Sequence, residues 1–222
     1  LADDDVHSLF EDREGSFWIG SEGGLSRLVR RDLRSYGEAE GLPDRQVYAL
    51  AADGAGGIWV GTTSGLGHLS FGPHGEPSAR VWKRDAGLAA NWVWALLRSR
   101  RGELWVGTEE GLSRLLPSGR FESLRTADGL AGDYVVSLFE ERSGALWVGS
   151  IDGLSRLRFD ATGARSEIQV FTAADGLARQ RAYAIAADAA GRVFVAHGEA
   201  LSYRDGERFS AVGADSGLDT AS

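Results

Sequence analysis

The sequence predicts an all-β fold, a β-propeller of four-stranded antiparallel blades, and three observations carry that prediction. First, an eleven-residue motif recurs five times, clearest as Gly102-Glu103-Leu104-Trp105-Val106-Gly107-Thr108-Glu109-Glu110-Gly111-Leu112. Second, its anchors Trp18, Trp59, Trp105, Trp147 and Phe194 stand 41, 46, 42 and 47 residues apart, in the period of about 40–50 residues that propeller blades show. Third, 31 of 222 residues are Gly, about twice the usual share of roughly 7%, as many short turns require.

Each unit repeats the same columns. Twelve residues before the anchor stands Val6, Val47, Val93, Val135 or Ala182, and two residues later a small one, Ser8, Ala49, Ala95, Ser137 or Ala184. A large aliphatic residue follows: Leu9, Leu50, Leu96, Leu138 or Ile185. A Gly precedes each anchor by three, and a Gly-Leu pair closes each unit at Leu42, Leu88, Leu130, Leu177 and Leu218. Six residues before that Leu sits Tyr36, Trp82, Leu124, Phe171 or Val212.

The third unit shows how one repeat becomes four strands. Val93-Trp94-Ala95-Leu96-Leu97 is a short apolar run, as in a strand buried on both faces. Arg98 to Gly102 is a polar turn ending in Gly, which tolerates positive φ. Leu104 to Gly107 is the second strand. Leu112-Ser113-Arg114-Leu115 alternates as a third, with Arg114 expected to face outward. Pro117-Ser118-Gly119 turns again, and Phe121 to Arg125 forms the fourth strand before Ala127-Asp128-Gly129-Leu130 links to the next unit. Four antiparallel strands per repeat make a propeller blade. The small first-strand residue suits the crowded axis, where a large side chain would overpack. The anchor column, Trp18, Trp59, Trp105, Trp147 and Phe194, is read as structural packing between neighbouring blades, each ring burying about 150–250 Å².

The expected organisation is one propeller segment over 1–222, with repeats at about 1–41, 42–87, 88–129, 130–176 and 177–217, and 218–222 starting a further unit. Residues 1–5 and 218–222 occupy the same register, so the chain reads as a segment of a larger array, of the seven-bladed type, rather than a closed five-bladed ring. The missing initial Met points the same way. Exposed terminal blades, with apolar columns at Leu9 and Ile185, are then expected to self-associate or to need neighbours.

Composition excludes several classes. There is no apolar run of 18 residues to span a membrane and no signal peptide. With no Cys there is no disulfide or thiolate chemistry. A net charge of −8 argues against nonspecific nucleic-acid binding, which needs a basic face.

The string Gly129-Leu130, Val135, Leu138-Phe139-Glu140-Glu141, Gly144-Ala145-Leu146-Trp147-Val148-Gly149-Ser150, Gly153-Leu154-Ser155-Arg156-Leu157 resembles the two-component regulator propeller repeat. The resemblance runs through all five units. The fifth departs, with Phe194 for Trp, Ala196 for Gly and Arg204 for Leu, and is expected to be the softest. The resemblance implies a periplasmic, extracytoplasmic sensor domain of a bacterial inner-membrane receptor. A histidine kinase or diguanylate cyclase would then follow a transmembrane helix. The ligand it implies is a carbohydrate or another small molecule, or a protein partner.

No catalytic constellation stands out. His7, His68, His74 and His197 occupy different registers, and Asp3-Asp4-Asp5 lacks the alternate spacing of a calcium loop. No elbow, zincin or P-loop motif is present. The reading is therefore a non-catalytic module with no metal and no cofactor. The alternative is a propeller lyase or glycosidase with a site near the axis. Variation is concentrated in two loop families on one face, the links between blades and the turns between second and third strands. Loops on a rigid scaffold are where binding residues usually sit. The candidate ligand residues are Asn91, Trp92, Asp133, Tyr134, Arg179 and Arg181, which offer stacking and charged hydrogen bonds.

Overall fold

In a computed structural model the described residues are 1–29, 32–206 and 208–212. They form five four-stranded antiparallel sheets, each with its strands in chain order. The first sheet is β1 (Val6–Glu11), β2 (Phe17–Ser21), β3 (Gly24–Val29) and β4 (Asp32–Tyr36). The second is β5 (Val47–Ala52), β6 (Ile58–Thr62), β7 (Gly65–Phe71) and β8 (Pro77–Trp82), and the third β9 (Val93–Arg98), β10 (Leu104–Thr108), β11 (Gly111–Leu115) and β12 (Phe121–Leu124). The fourth is β13 (Val135–Glu140), β14 (Leu146–Ser150), β15 (Leu154–Phe159) and β16 (Arg165–Phe171). The fifth is β17 (Ala184–Ala187), β18 (Val193–Ala196), β19 (Leu201–Asp205) and β20 (Arg208–Ala211). These are propeller blades. Leu218 and the other residues of 218–222, read as the start of a further unit, lie outside the described residues.

The chain divides into two compact units, Leu1–Ser123 and Leu124–Ser222. In the first unit, Trp18 of β2 is buried with Leu25 and Tyr36 of its own blade against Val47, Ile58, Val60 and Leu69 of the next. Trp59 packs likewise on a cluster containing Leu88, Val93, Leu104 and Val106 of the third blade. In the second unit, Trp147 joins Phe171 to Leu177, Ala182, Val193, Val195 and Phe209 of the fifth blade. Trp18, Trp59 and Trp147 therefore pack one blade on the next.

The Gly two residues after each Trp is there for space. A Cβ on Gly61 would stand 2.6 Å from Val93 Cγ1 of the following blade, and one on Gly149 would collide with the Ala182 carbonyl. Ser137, a small first-strand residue, donates its hydroxyl to the Ala182 carbonyl at 2.7 Å. Only a small residue allows that approach of one blade to the backbone of its neighbour.

Further columns close each blade. The hydroxyls of Ser21, Thr62, Thr108 and Ser150 each donate to the carbonyl of the Gly three residues on, at 2.8–3.0 Å, tying the turn between second and third strands. Buried serines of the third strand, Ser26, Ser113, Ser155 and Ser202, accept from the amides of Ala2, Ala89, Ala131 and Ala178 in the link that enters the same blade. The second blade shows why the pair is coupled. Its link has Pro43, which has no N–H, and its third strand has Gly67, where a Cβ would sit 3.0 Å from the Pro43 ring. Donor and acceptor vanish together, and the glycine makes room for the ring.

Two expectations need correction. Arg114 does not face outward: it pairs with Glu103, its side chain is largely covered, and its guanidinium lies 5.4 Å from the Trp105 ring centroid. The reason is register, since Trp105 is paired directly with Arg114 across β10 and β11. Ile185 is not an exposed column residue, because it packs against the Trp147 cluster, whereas Leu9 is 70% exposed.

Candidate functional site

At the turn end of four of the five blades an acid stands six residues before the anchor: Asp12, Asp53, Glu141 and Asp188. Asp12 takes the Ser16 amide at 2.8 Å and the Trp18 indole N–H at 2.9 Å, and Glu141 takes the Trp147 indole N–H at 2.5 Å. The cross-strand partner of the Trp completes the group: Arg27, His68, Arg114 and Arg156. Burial alone would raise the Glu141 carboxyl, but hydrogen bonds from Arg156, Ser143 and Trp147 outweigh it and hold it below the ordinary range. In the third blade Ser99 replaces that acid, and Glu103 supplies the carboxylate from the other side of the turn. These groups clamp the blade, and they explain why Arg114, which sequence reasoning faced outward, is covered.

The opposite, loop end carries the varied residues. Backbone bonds tie the two loop families together in the first, third and fourth blades: the Glu22 amide donates to the Asp5 carbonyl, Glu109 to Trp92 and Ile151 to Tyr134, at 3.2–3.3 Å. Asn91 and Asp133 have local work there. Asn91 Oδ1 accepts the Arg84 amide at 2.8 Å, and Asp133 Oδ1 accepts the Thr126 amide at 2.6 Å, each capping a one-turn 3-10 helix earlier in the same link. Their acceptor oxygens are thereby engaged with backbone.

In the first unit, the Trp92 indole is stacked on Trp94, with centroids 4.7 Å apart. Trp94 meets Tyr48 at 4.9 Å, and Tyr48 stacks on His7 at 4.5 Å, forming a ladder of rings from three successive blades. Glu22 lies beside it and accepts from Gln46, from the Tyr48 hydroxyl at 3.2 Å, and from His7 Nε2 at 3.1 Å. Donation by Gln46 first, then by His7, holds the Glu22 carboxyl below its ordinary value, against burial. The ladder residues His7, Tyr48 and Trp94 escaped sequence reasoning. Their signal was present: they follow the Val column by one residue and vary, His7, Tyr48, Trp94, Val136, Tyr183, while the column before holds only Val or Ala and the column after only Ser or Ala. A cavity of about 530 Å³ in this unit lies at the turn end, lined by Phe10, Leu50, Leu96 and Arg98 among others.

In the second unit, Arg179 and Arg181 line one open cavity of about 530 Å³ with Asp152, Tyr183, His197 and Glu199. Arg181 donates to the Tyr183 hydroxyl at 3.1 Å. His197 takes the place of the turn hydroxyl and is buried. Its Nδ1 is 2.6 Å from the Arg181 carbonyl and its Nε2 is 2.9 Å from Ser202 Oγ. Burial pushes its pKa down, against the raising effect of the Arg181 carbonyl, and so favours the neutral ring. Tyr134 lies in this unit, its carbonyl bonded to Ile151, and Asp133 precedes it.

The blades and the varied loop end together define a repeat-built propeller module. Residues 1–23, 41–64 and 87–110 match the two component regulator propeller family. No curated protein matches the chain. Among solved structures it is similar to the extracellular domain of a protein described as a hybrid two component system from B. thetaiotaomicron, with 21% identity and a TM-score of 0.72 over 86% of this chain and 26% of that one. A second, described as a one component system from the same organism, has 18% identity and a TM-score of 0.77 over 97% of this chain and 31% of that one. The chain thus spans about a quarter to a third of those two. It is also similar to a catalytically inactive virginiamycin B lyase from Staphylococcus aureus with quinupristin, at 16% identity and a TM-score of 0.75, covering 100% of this chain and 74% of that one. At these identities the likeness is one of fold. Among the described residues no helix is long and apolar enough to cross a membrane.

Proposed function

We propose that the chain is a non-catalytic, extracytoplasmic sensor module of a bacterial signal-transduction receptor, binding a small molecule or a protein partner at its loop end. The observation that carries this reading is the contrast between the two ends of each blade. The turn end repeats one clamp, while the loop end of the same rigid scaffold changes residue type from blade to blade. Selection for packing alone gives no reason for that asymmetry.

The second-unit cavity is the favoured ligand site. Arg179, Arg181, Asp152 and Glu199 place fork-like donors and acceptors beside the exposed Tyr183 ring. Such a set suits a carbohydrate, through paired hydrogen bonds to hydroxyls and stacking on a ring face. In the first unit Trp92 offers a further apolar ring. A calorimetric screen of neutral and acidic oligosaccharides against the protein tests the proposal. Arg181→Ala should weaken the binding found by at least tenfold while changing stability by less than about 0.5 kcal/mol. Binding untouched by that change, and lost instead on substituting the cavity residues at the turn end, would overturn the assignment.

The lyase reading has fold-level support alone, from solved lyases at 15–16% identity. It would need general acid and base groups converging on a substrate. His197 is engaged on both ring nitrogens, and this favours the binding module.

A further inference from the structure

We propose that Asp5, His7 and Glu22 form a binding site for one divalent transition-metal ion, with Zn²⁺ as the type ion, at the loop end of the first blade. The proposal is independent of the ligand reading above and rests on different residues. Each of the three side chains presents one donor atom, and the three atoms lie within 4.8 Å of one another. The sequence argues against metal because no column around the blades holds His. The structure assembles its group differently, within one blade, from the link before β1, the second residue of β1 and the turn after β2.

Three features preorganise the group. The His7 ring is held by its stack on Tyr48, with the planes 17° apart, while its Nε2 stands 3.1 Å from Glu22 Oε1. Glu22 is oriented by Gln46 and the Tyr48 hydroxyl from the second blade, the kind of outer support that fixes metal-ligating carboxylates. The Glu22 amide bonds the Asp5 carbonyl at 3.2 Å, so the link and the turn that carry the two acids are fastened together. Two carboxylates this close repel each other, and a shared cation removes that repulsion.

The donor set chooses the ion. One imidazole nitrogen and two carboxylate oxygens suit Zn²⁺ and its neighbours in the first transition row. Calcium takes six to eight oxygen donors and has little use for an imidazole. Three protein ligands leave positions open for water or for an oxygen of an incoming molecule, at the same end of the blades as Trp92.

The test is titration calorimetry of the protein with ZnCl2 and, separately, CaCl2, backed by equilibrium dialysis with metal analysis. The expected result is one equivalent of Zn²⁺ bound at micromolar concentration and at least tenfold weaker binding of Ca²⁺. His7→Gln and Glu22→Gln should each weaken Zn²⁺ binding by at least tenfold, and Asp5→Asn by severalfold. His74→Gln, on the exposed loop between β7 and β8, should leave it unchanged. Circular dichroism establishes that each variant is folded, and Asp5→Asn, on the exposed link, keeps the test open should His7→Gln not fold. No saturable Zn²⁺ binding up to 1 mM, equal affinity for Ca²⁺, or binding that survives His7→Gln or Asp5→Asn undiminished would each overturn the proposal.

Discussion

The fourth and fifth blades are built on one repeat, yet only the fourth has a complete clamp. In the fourth, the Trp147 indole donates to Glu141, Arg156 lies over its ring at 5.4 Å and bonds Glu141 at 2.8 Å, and the ring is fully buried. In the fifth, Phe194 has no N–H to give, its cross-strand partner is Tyr203, and Asp188 bonds Arg192 instead. The first strand shrinks from six residues in β13 to four in β17, and Ala184, Ala186 and Ala187 are exposed. The lesson is that the Trp column is one member of a three-part unit. The fifth blade keeps an acid and a cation at its anchor, with Arg192 bonded to Asp188 and 5.9 Å from the Phe194 centroid, but it has no indole N–H to join the ring to them.

Arg204 qualifies that contrast. The sequence places a charge where the other blades have Leu, which suggests a loss of packing. The structure sets its guanidinium 5.7 Å from the Trp147 centroid and 5.4 Å from Phe171. The fifth blade thus gives an aromatic-stacked cation to the fourth, worth roughly 0.5–2 kcal/mol. Phe209 adds an edge-on contact to Trp147 at 5.9 Å.

The largest effect should come from Trp147→Ala, which removes a fully buried ring and leaves Glu141 and Arg156 without it. A loss of about 3–5 kcal/mol is expected by chemical denaturation. Phe194→Ala, at a half-buried ring with no indole hydrogen bond, should cost about half as much. Similar costs for the two would break the comparison.

Next in size is the charge within the clamp. Glu141→Gln should cost about 1–3 kcal/mol, because a buried ion pair loses its acid while Arg156 remains. The effect should depend on pH. A carboxyl whose folded pKa is depressed contributes stability that is present above the unfolded value, about 4.5, and lost as pH falls through the folded value. Wild type should therefore lose stability on acidification below about pH 4.5, and Glu141→Gln should lose less over the same window. Parallel acid curves for the two would show that Glu141 carries no such linkage. In the third blade Arg114→Ala should cost about 1–2 kcal/mol, since it removes the partner of Glu103 and the cation over Trp105. A change under about 0.5 kcal/mol would restore the outward-facing reading.

The blades were legible because their signals are local and repeated. A Trp at a 41–46-residue step, a Gly two residues on and a Gly-Leu at each link report the same packing contact several times over. The clamp was harder to see because its members are joined by register. Trp105 and Arg114 are neighbours only once β10 and β11 pair, and alternation along β11 alone cannot say which face is covered. The relocated acid hid further, since Glu103 fills a role that Asp12 and Glu141 fill four positions earlier in the repeat. At the loop end, Trp92, Arg179 and Arg181 were singled out by variation. The function of Asn91 and Asp133 as caps depends on the 3-10 turns at Arg84–Ala86 and Thr126–Asp128, which polar link residues do not announce. The ladder His7, Tyr48, Trp94 stayed hidden inside strands that read as core.

The smallest expected effect is a gain, and it tests whether the fifth blade is soft for the reason given. Asp188 stands six residues before Phe194, the register of Asp12 before Trp18 and Glu141 before Trp147. It already accepts the Arg192 amide at 2.9 Å, as Asp12 accepts that of Ser16. Phe194→Trp should therefore place an indole N–H within reach of Asp188 and restore one charge-assisted hydrogen bond. Competition from Arg192 limits the gain to about 0.5–1 kcal/mol. That change is best read by amide exchange, which reports opening blade by blade. In wild type the amides of β17 and β18 should exchange faster than those of β13 and β14. In the variant the gap should narrow by roughly two- to fivefold, the factor that 0.5–1 kcal/mol implies. Unchanged exchange in β17 and β18 would mean that the missing indole is not what loosens this blade, and the cause would shift to its short, exposed first strand.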